Sequence, residues 1–125
     1  YSYDLFYKDR LKALKNKFPH VHFHVFTTPV SDALLNLLSE CGRRDDYIQW
    51  LADIIEVFGS FDHFMIRSEL SHNSEQYFLD SHHLAPEGAK MLIQFIEGCE
   101  DTTNLDIGVR ITADSIDDYI KSAIL

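Results

Sequence analysis

The feature that most constrains the fold is the alternating stretch from His20 to Phe26, which follows directly on a helical pattern. Three apolar residues alternate there with three histidines: Val21, Phe23 and Val25 to one side, His20, His22 and His24 to the other. A period of two predicts a β-strand with one apolar face. Before it, Asp4 is a candidate cap for a helix that runs to about Lys17 and ends at Pro19. A helix followed by a strand indicates an α/β layer fold.

The later patterns predict four more helices and two more strands along one undivided α/β domain, residues 1–125. The predicted helices are one capped by Ser31 and closed by Gly42, one from Asp45 or Asp46 to Phe58, one from Pro86 to Ile96, and one capped by Thr112 or Asp114 that runs through Ile124. The predicted strands are Phe61 to Ile66 and Ile107 to Ile111. Ser68 to Gln76 is expected to be a polar loop, and Glu100 to Asn104 an acidic connector.

Composition excludes several functional classes. The formal net charge of −9 argues against a nucleic-acid partner, because neutralising phosphates requires clustered Lys and Arg. The one basic cluster, Lys8 to Lys17, is interpreted as the solvated face of a helix. No apolar run approaches 18 residues and no signal peptide is present, so the sequence predicts no membrane span and leaves the compartment open. Cys41 and Cys99 are expected to be two isolated thiols, although spacing alone does not exclude a disulfide.

The stretch from Asp80 to Gly88 carries the residues best suited to chemistry. Asp80 and His83 are three residues apart, immediately before a helix start at Pro86. In a nucleophilic triad a histidine accepts the proton of the nucleophile, while a carboxylate fixes its tautomer and stabilises the imidazolium. The spacing therefore predicts His83 as general base and Asp80 as its orienting acid. The flanking residues Phe78, Leu79 and Leu84 are expected to be buried and to hold the loop rigid while its polar atoms face a cleft. The alternative is that Asp80 caps the turn and that His82 and His83 are both simply solvated.

The block Phe-Leu-Asp80-Ser-His-His83-Leu-Ala-Pro-Glu-Gly88-Ala resembles the last conserved block of the SGNH (GDSL-type) esterases and O-acetyltransferases, where an Asp-x-x-His loop supplies two triad residues. The order of elements over residues 1–98 is similar too. The resemblance implies a three-layer flavodoxin-like sheet with flanking helices. It selects His83 rather than His82 as the catalytic histidine.

The same resemblance implies that this chain is the C-terminal half of such a protein. The segment at Tyr1-Ser2-Tyr3 is similar to the one that follows the family's third strand, and the tail from Val109 to Leu125 is similar to the ends of members linked to polysaccharide modification. The family's Gly-Asp-Ser block and Gly-x-Asn-Asp block are absent, and no serine of the chain has the strand-to-helix context of a nucleophile. The chain alone is therefore expected to be inactive or nearly so.

The expected function is thus the acid–base half of a serine esterase or O-acetyltransferase that acts on an ester, with an O-acetyl group on a carbohydrate as one candidate, without a cofactor or metal. A parent protein of this kind is compatible with a place outside the cytoplasm, but the sequence does not determine the compartment. The loop Thr27-Thr28-Pro29 follows the first predicted strand and is expected to line the same cleft by position, since ligand crevices form at the carboxyl ends of strands in open α/β sheets.

Two other interpretations remain open. One is a non-catalytic binding or assembly module, in which exposed sheet edges pair with a second copy or with a missing N-terminal half. The other is a metal-binding domain, because His20, His22 and His24 would be spaced about 6.5 Å apart along one strand face. His63 or His82 would then supply a further ligand, whereas adjacent Asp62 and His63 would face opposite ways.

Overall fold

The computed structural model describes residues 3–98 and 106–122. Within these ranges the chain forms seven helices and a small sheet of three strands. The helices are α1 (Tyr7–Lys17), α2 (Asp32–Glu40), α3 (Arg44–Phe58), α4 (Glu69–His72), α5 (Ser74–Tyr77), α6 (Pro86–Ile96) and α7 (Ile116–Ser122). The strands are β1 (Phe26–Thr27), β2 (Ser60–His63) and β3 (Val109–Thr112). The prediction of a mixed α/β structure is therefore confirmed.

The sheet has the order β1-β2-β3, with β2 in the centre. β1 and β2 are parallel, and the residue pairs are Phe26 with Asp62 and Thr27 with His63. β2 and β3 are antiparallel, and Asp62 lies opposite Arg110. The connection from β1 to β2 passes through α2 and α3, which makes a βαβ unit.

The prediction of a long strand from His20 to Phe26 is wrong for most of that stretch. Residues 21–25 have no regular secondary structure and lie outside the sheet, and only Phe26 and Thr27 form β1. A strand requires a neighbouring strand that accepts and donates its backbone hydrogen bonds. Because β2 begins only at Ser60, it offers residues 21–25 little more than the Asp62 N–H, which donates to the Val25 carbonyl at 3.0 Å. The alternation persists in burial, since Phe23 and Val25 are half-buried and the intervening histidines are exposed.

Other boundaries also differ from the sequence predictions. The second strand ends at His63 instead of Ile66, and the expected polar loop at Ser68 to Gln76 contains α4 and α5. A reciprocal capping box between Ser68 and Ser71 begins α4 and explains why this polar stretch is helical. Asp4 caps the turn before α1 through a 3.0 Å bond from the Phe6 N–H, and the helix itself begins at Tyr7.

Three predicted helix ends are confirmed in detail. The Ser31 hydroxyl accepts a hydrogen bond from the Leu34 N–H at 3.4 Å and so caps α2. Gly59 ends α3 in the left-handed conformation, with φ of 82°, which places β2 immediately after the helix. Pro86 occupies the first turn of α6, where its missing N–H costs no hydrogen bond.

Two apolar clusters lie on either side of the strands. One contains Phe61 and Ile111 and receives side chains from α1, α3 and α7. The other contains Phe64 and Leu92 and receives side chains from α4, α5 and α6. Successive strand residues point to opposite faces, so Phe61 and His63 share the first face whereas Asp62 points to the other. The charged residues Asp62 and Arg110 thus occupy the amino-terminal part of the second face.

None of the helices in residues 3–98 and 106–122 is long and apolar enough to cross a membrane. Cys41 is exposed at the end of α2. Cys99, the acidic connector Glu100 to Asn104, and the start of the chain at Tyr1 and Ser2 lie outside the described residues, as does the last part of the helix predicted through Ile124. The expectations for those segments remain predictions.

Candidate functional site

The loop from Leu79 to His83 is closed by backbone hydrogen bonds. Phe78 and Leu84 form an antiparallel bridge, and the Leu79 N–H donates to the His83 carbonyl at 2.7 Å. The Ala85 N–H donates to the Tyr77 carbonyl at 2.8 Å. The loop is therefore a short hairpin whose two arms are joined immediately before α6 begins.

Asp80 lies at the tip of this hairpin and is held in one orientation. Its Oδ1 atom accepts hydrogen bonds from the backbone N–H groups of His82 at 2.9 Å and His83 at 2.8 Å. Its Oδ2 atom lies 2.6 Å from Nδ1 of His83. The structure thus brings together the two residues that the sequence paired, with one carboxylate oxygen anchored to the backbone and the other on the imidazole.

The electrostatics of the pair favour an ionised acid. The hydrogen bond from His83, together with those from the backbone N–H groups of His82 and His83, holds the pKa of Asp80 well below its usual range. An ionised Asp80 accepts a hydrogen bond from Nδ1–H, so it favours the His83 tautomer whose Nε2 atom is free to act as a base. No hydrogen bond within the described residues joins Nε2 of His83 to a serine hydroxyl.

The pair is more exposed than the sequence suggested. The side chains of Asp80 and His83 are 49% and 65% exposed. Phe78 is buried and Leu84 is half-buried as expected, but Leu79 is 74% exposed, because its backbone, not its side chain, holds the hairpin closed. The prediction that Leu79 would be buried beneath the pair is wrong.

His82 differs from its neighbour in its contacts. Its Nδ1 atom lies 3.5 Å from Asp80 Oδ1 and 3.1 Å from the Ser81 hydroxyl. Its ring lies 4.1 Å from that of His83 between centroids. The short Asp80 contact belongs to His83, which agrees with the choice of histidine made from the Asp-x-x-His spacing, although the catalytic role of either residue remains a prediction.

The loop after β1 lies beside this hairpin. The Ser31 N–H donates to the Ser81 carbonyl at 2.9 Å, which joins the two segments directly. The expected neighbourhood at the carboxyl end of β1 is therefore present. Of the three residues expected to line a cleft, however, Thr27 and Pro29 are buried and only Thr28 is exposed.

The histidines considered as metal ligands are separated in space. His24 donates from Nε2 to Asp62 at 2.7 Å, while His63 is fully buried among other side chains. The one group of three ligand side chains that the described residues place within reach of a common ion is Asp80, His82 and His83, and all three are exposed. Because Asp80 already accepts three hydrogen bonds there, the group is better suited to positioning an imidazole than to chelation.

Sequence reasoning missed a buried polar network around His63. Thr27 Oγ1 accepts hydrogen bonds from the backbone N–H groups of Phe64 at 3.0 Å and Met65 at 3.4 Å. Its own proton is then available to Nδ1 of His63, 2.7 Å away. His63 donates from Nε2 to the Tyr47 hydroxyl at 2.5 Å, and that hydroxyl donates to the Met65 carbonyl at 3.2 Å. Every polar atom of the neutral imidazole is thereby paired.

The ionisation of this network is fixed by burial. Removal from water lowers the pKa of His63 to about 3, because the charged imidazolium is poorly solvated there. Burial likewise raises the pKa of Tyr47 far above its ordinary value and raises that of Tyr119, whose hydroxyl lies 3.2 Å from that of Tyr47. His63 is therefore neutral and structural at neutral pH. Neither the alternating pattern that ends just before Thr27 nor the adjacent Asp62 in the sequence indicated that His63 would be a buried structural residue.

A second acid–histidine pair also escaped the sequence analysis. Asp32, at the start of α2, contacts Nδ1 of His72 at the end of α4, and Arg67 lies 3.8 Å from the same carboxylate. The two partners are 40 residues apart in the chain, so no local spacing marks them.

One cavity formed by the described residues does not contain Asp80 or His83. It measures about 500 Å³ and lies between α1, α2 and α3, with Tyr3, Tyr7, Tyr47 and Trp50 among its walls. Trp50 donates from Nε1 to the Tyr7 hydroxyl at 3.1 Å and packs against the first apolar cluster.

Gly88 fixes the position of the hairpin against α6. A Cβ atom there would lie 2.6 Å from the Tyr77 carbonyl oxygen and 2.9 Å from a methyl group of Leu84. We expect Gly88→Ala to lower the free energy of unfolding by about 1–3 kcal/mol, because the helix must move away from the hairpin backbone. Urea denaturation measures this loss. Glu87→Ala, at the exposed neighbouring position, is the control, and equal midpoints for the two variants would contradict the close approach.

Comparison of the chain with protein-family models, with curated proteins and with solved structures finds no match in any of the three.

Proposed function

We propose that Asp80 and His83 are the acid–base half of an ester-hydrolysing or acyl-transferring site of the SGNH type. The observation that carries the proposal is the 2.6 Å contact between Asp80 Oδ2 and His83 Nδ1, on a carboxylate that two backbone N–H groups hold in place. Such an arrangement orients the imidazole and leaves Nε2 as the proton acceptor. In this role His83 is the general base and then the general acid, and Asp80 fixes its tautomer.

The reaction requires a nucleophile, which we place in sequence that precedes Tyr1 in a longer protein. A serine hydroxyl there would attack the acyl carbon of the ester while its proton passes to Nε2 of His83. The bond to the alkoxy group then breaks, and His83 returns the proton to the departing alcohol. Water or an acceptor alcohol repeats the sequence on the acyl-enzyme. The proposed substrate is an ester, in particular an O-acetyl group on a carbohydrate, and these steps call for no cofactor.

The finer fold is part of the same proposal. We infer that the three strands are the C-terminal portion of a larger three-layer, flavodoxin-like sheet. Three features support this: β1 and β2 form a parallel βαβ unit, apolar clusters lie on both faces, and β1 has an edge without a partner among the described residues. A further parallel strand would pair there. The antiparallel β3 departs from an all-parallel sheet, as edge strands of such sheets often do.

The position of the hairpin also supports the proposal. Its contact from Ser31 to Ser81 places it at the carboxyl end of β1, which is where open α/β sheets bind their ligands. The exposure of Asp80 and His83 agrees with a site that another part of a longer protein completes.

His83→Ala tests the proposed role. In a protein that contains this chain with its preceding sequence, we expect the substitution to lower the rate of p-nitrophenyl acetate hydrolysis by about 100- to 10,000-fold, because the general base is removed. His82→Ala is the matched control, since it removes an equally exposed imidazole one residue away. Equal rates for the unsubstituted protein and His83→Ala would overturn the assignment.

A second candidate is a non-catalytic assembly module, favoured by apolar side chains left in solvent. Leu5 and Phe6, adjacent at the start of α1, are 84% and 67% exposed. Neighbouring exposed apolar residues are typical of surfaces that associate with another chain, either a second copy or a missing N-terminal half. Concentration-dependent association in sedimentation experiments, together with full hydrolytic rates in His83→Ala, would favour this function over the first.

A further inference from the structure

A polar cavity of about 330 Å³ lies at the opposite end of the sheet from the Asp80 hairpin. It is formed by several parts of the chain, among them the last turn of α1, the end of α3, the first residue of β2, and residues 21–25, which precede β1. We call it the cationic pocket. Its defining side chains are Lys15, His22, Phe23, His24, Phe58 and Arg110.

The basic groups of the cationic pocket are held by neighbouring atoms. Arg110 donates to Asp62 Oδ1 at 2.9 Å and to the Ser60 hydroxyl at 2.9 Å. His24 binds the other oxygen of Asp62 at 2.7 Å. Asp62 is nearly buried behind these two residues, so the carboxylate orients them and does not itself line the cavity.

Donors remain for a ligand after these contacts are made. The Lys15 ammonium group gives one hydrogen bond to the Val57 carbonyl at 2.6 Å and keeps two further N–H groups. The Arg110 guanidinium has five N–H donors, of which the contacts with Asp62 and Ser60 engage two. His22 is exposed at the mouth of the pocket.

The local charge contrasts with that of the whole chain. Asp62 offsets one of the two permanent positive charges, which leaves one positive charge and two imidazoles around the cavity. The chain has a formal net charge of −9, so the cationic pocket is opposite in sign to the chain as a whole. Basic groups that line a concave site attract anions, because its low-dielectric walls concentrate the electric field.

The walls add an apolar component. The rings of Phe23 and Phe58 lie 5.7 Å apart between centroids, and both line the cavity. Lys15 Nζ lies 5.8 Å from the Phe58 ring centroid, which places a positive charge directly beside an aromatic surface. A ligand that fills the cavity would therefore present both an anionic head and an apolar or ring-shaped body.

We propose that the cationic pocket binds a small organic oxyanion, a phosphate monoester or carboxylate attached to a ring. Lys15 and Arg110 bind the oxyanion, His22 supplies a further donor, and the two phenylalanines contact the ring. The site is separate from the proposed esterase site, because the pocket lies before β1 and the hairpin contacts the segment after it. Failure of one proposal therefore leaves the other standing.

Isothermal titration calorimetry with phenyl phosphate tests the proposal on the full chain. We expect binding by the unsubstituted protein and about tenfold weaker binding by Lys15→Met, because a charge-assisted hydrogen bond is lost. Lys17→Met removes the same charge from the same helix outside the pocket, and its affinity is expected to stay within about twofold. Phenol, which lacks the anion, is expected not to bind.

Two further arms keep the test decisive. His22→Ala removes an exposed imidazole without touching the Val57 contact, so it is expected to weaken binding even if Lys15→Met impairs folding; His20→Ala is its control. Inorganic phosphate is expected to bind more weakly than phenyl phosphate, because it lacks the ring. Equal weakening by Lys15→Met and Lys17→Met, or no heat of binding at millimolar phenyl phosphate, would overturn the site. Equal affinity for phenyl and inorganic phosphate would overturn the role of the aromatic walls.

Discussion

Replacing Asp80 by Asn is expected to lower kcat for ester hydrolysis by about 100- to 10,000-fold in a protein that contains this chain and its preceding sequence. The substitution is selective because asparagine keeps a side-chain oxygen for the backbone N–H groups of His82 and His83. It replaces Oδ2 by an NH2 group, which cannot accept a hydrogen bond from Nδ1–H of His83. The imidazole then favours the other tautomer, in which Nε2 carries a proton and is not a base.

Two readouts distinguish this loss from general damage. KM for p-nitrophenyl acetate is expected to change little, and nitrogen NMR of His83 is expected to report a shift of the proton from Nδ1 to Nε2. Asp114→Asn, at an exposed carboxylate in the turn before α7, is the matched control. An unchanged His83 tautomer in Asp80→Asn would mean that the carboxylate does not orient the ring, and the proposed mechanism would fail.

The Asp80–His83 contact was predictable because it is local. Residues three apart on a tight hairpin are close in space independently of the rest of the fold. Pro86 marks the end of the hairpin because it occupies the first turn of α6. The exposure of Leu79 was not predictable from the same pattern, because a hydrophobic residue in a hairpin faces inward or outward according to the strand register. The pairs Asp32–His72 and His24–Asp62 join residues 40 and 38 positions apart, and only the tertiary fold brings them together.

The fold shows the same division between local and long-range information. The Ser31 cap, the Gly59 end of α3 and the proline start of α6 are local signals, and each was read correctly. The strand predicted from His20 failed because pairing requires a neighbouring strand, which β2 supplies only from Ser60 onward. The alternation reports that Phe23 and Val25 are partly buried, but it does not report whether the backbone has a partner.

The buried histidine His63 is expected to make the protein less stable as the pH falls from about 6.5 toward 3. Burial lowers its pKa from 6.5 to about 3 in the folded protein, so in this window the unfolded chain binds a proton that the folded chain does not. The stabilisation is complete above about pH 6.5. Each unit below that value is expected to cost up to about 1.4 kcal/mol of unfolding free energy. Tyr47 and Tyr119, which face the imidazole, do not titrate here because burial raises their pKa values.

The upper part of this window isolates the histidine. Glu56, whose pKa is lowered to about 2 by hydrogen bonds from Lys12 and Lys8, loses its contribution only at more acidic pH. Urea denaturation between pH 6.5 and 5 is therefore expected to show a falling midpoint in the unsubstituted protein and in the control His22→Gln, and a flatter profile in His63→Gln. Should His63→Gln fail to fold, proton NMR of the unsubstituted protein provides the test. A His63 resonance that titrates near pH 6.5 while the chain stays folded would contradict the buried, neutral imidazole.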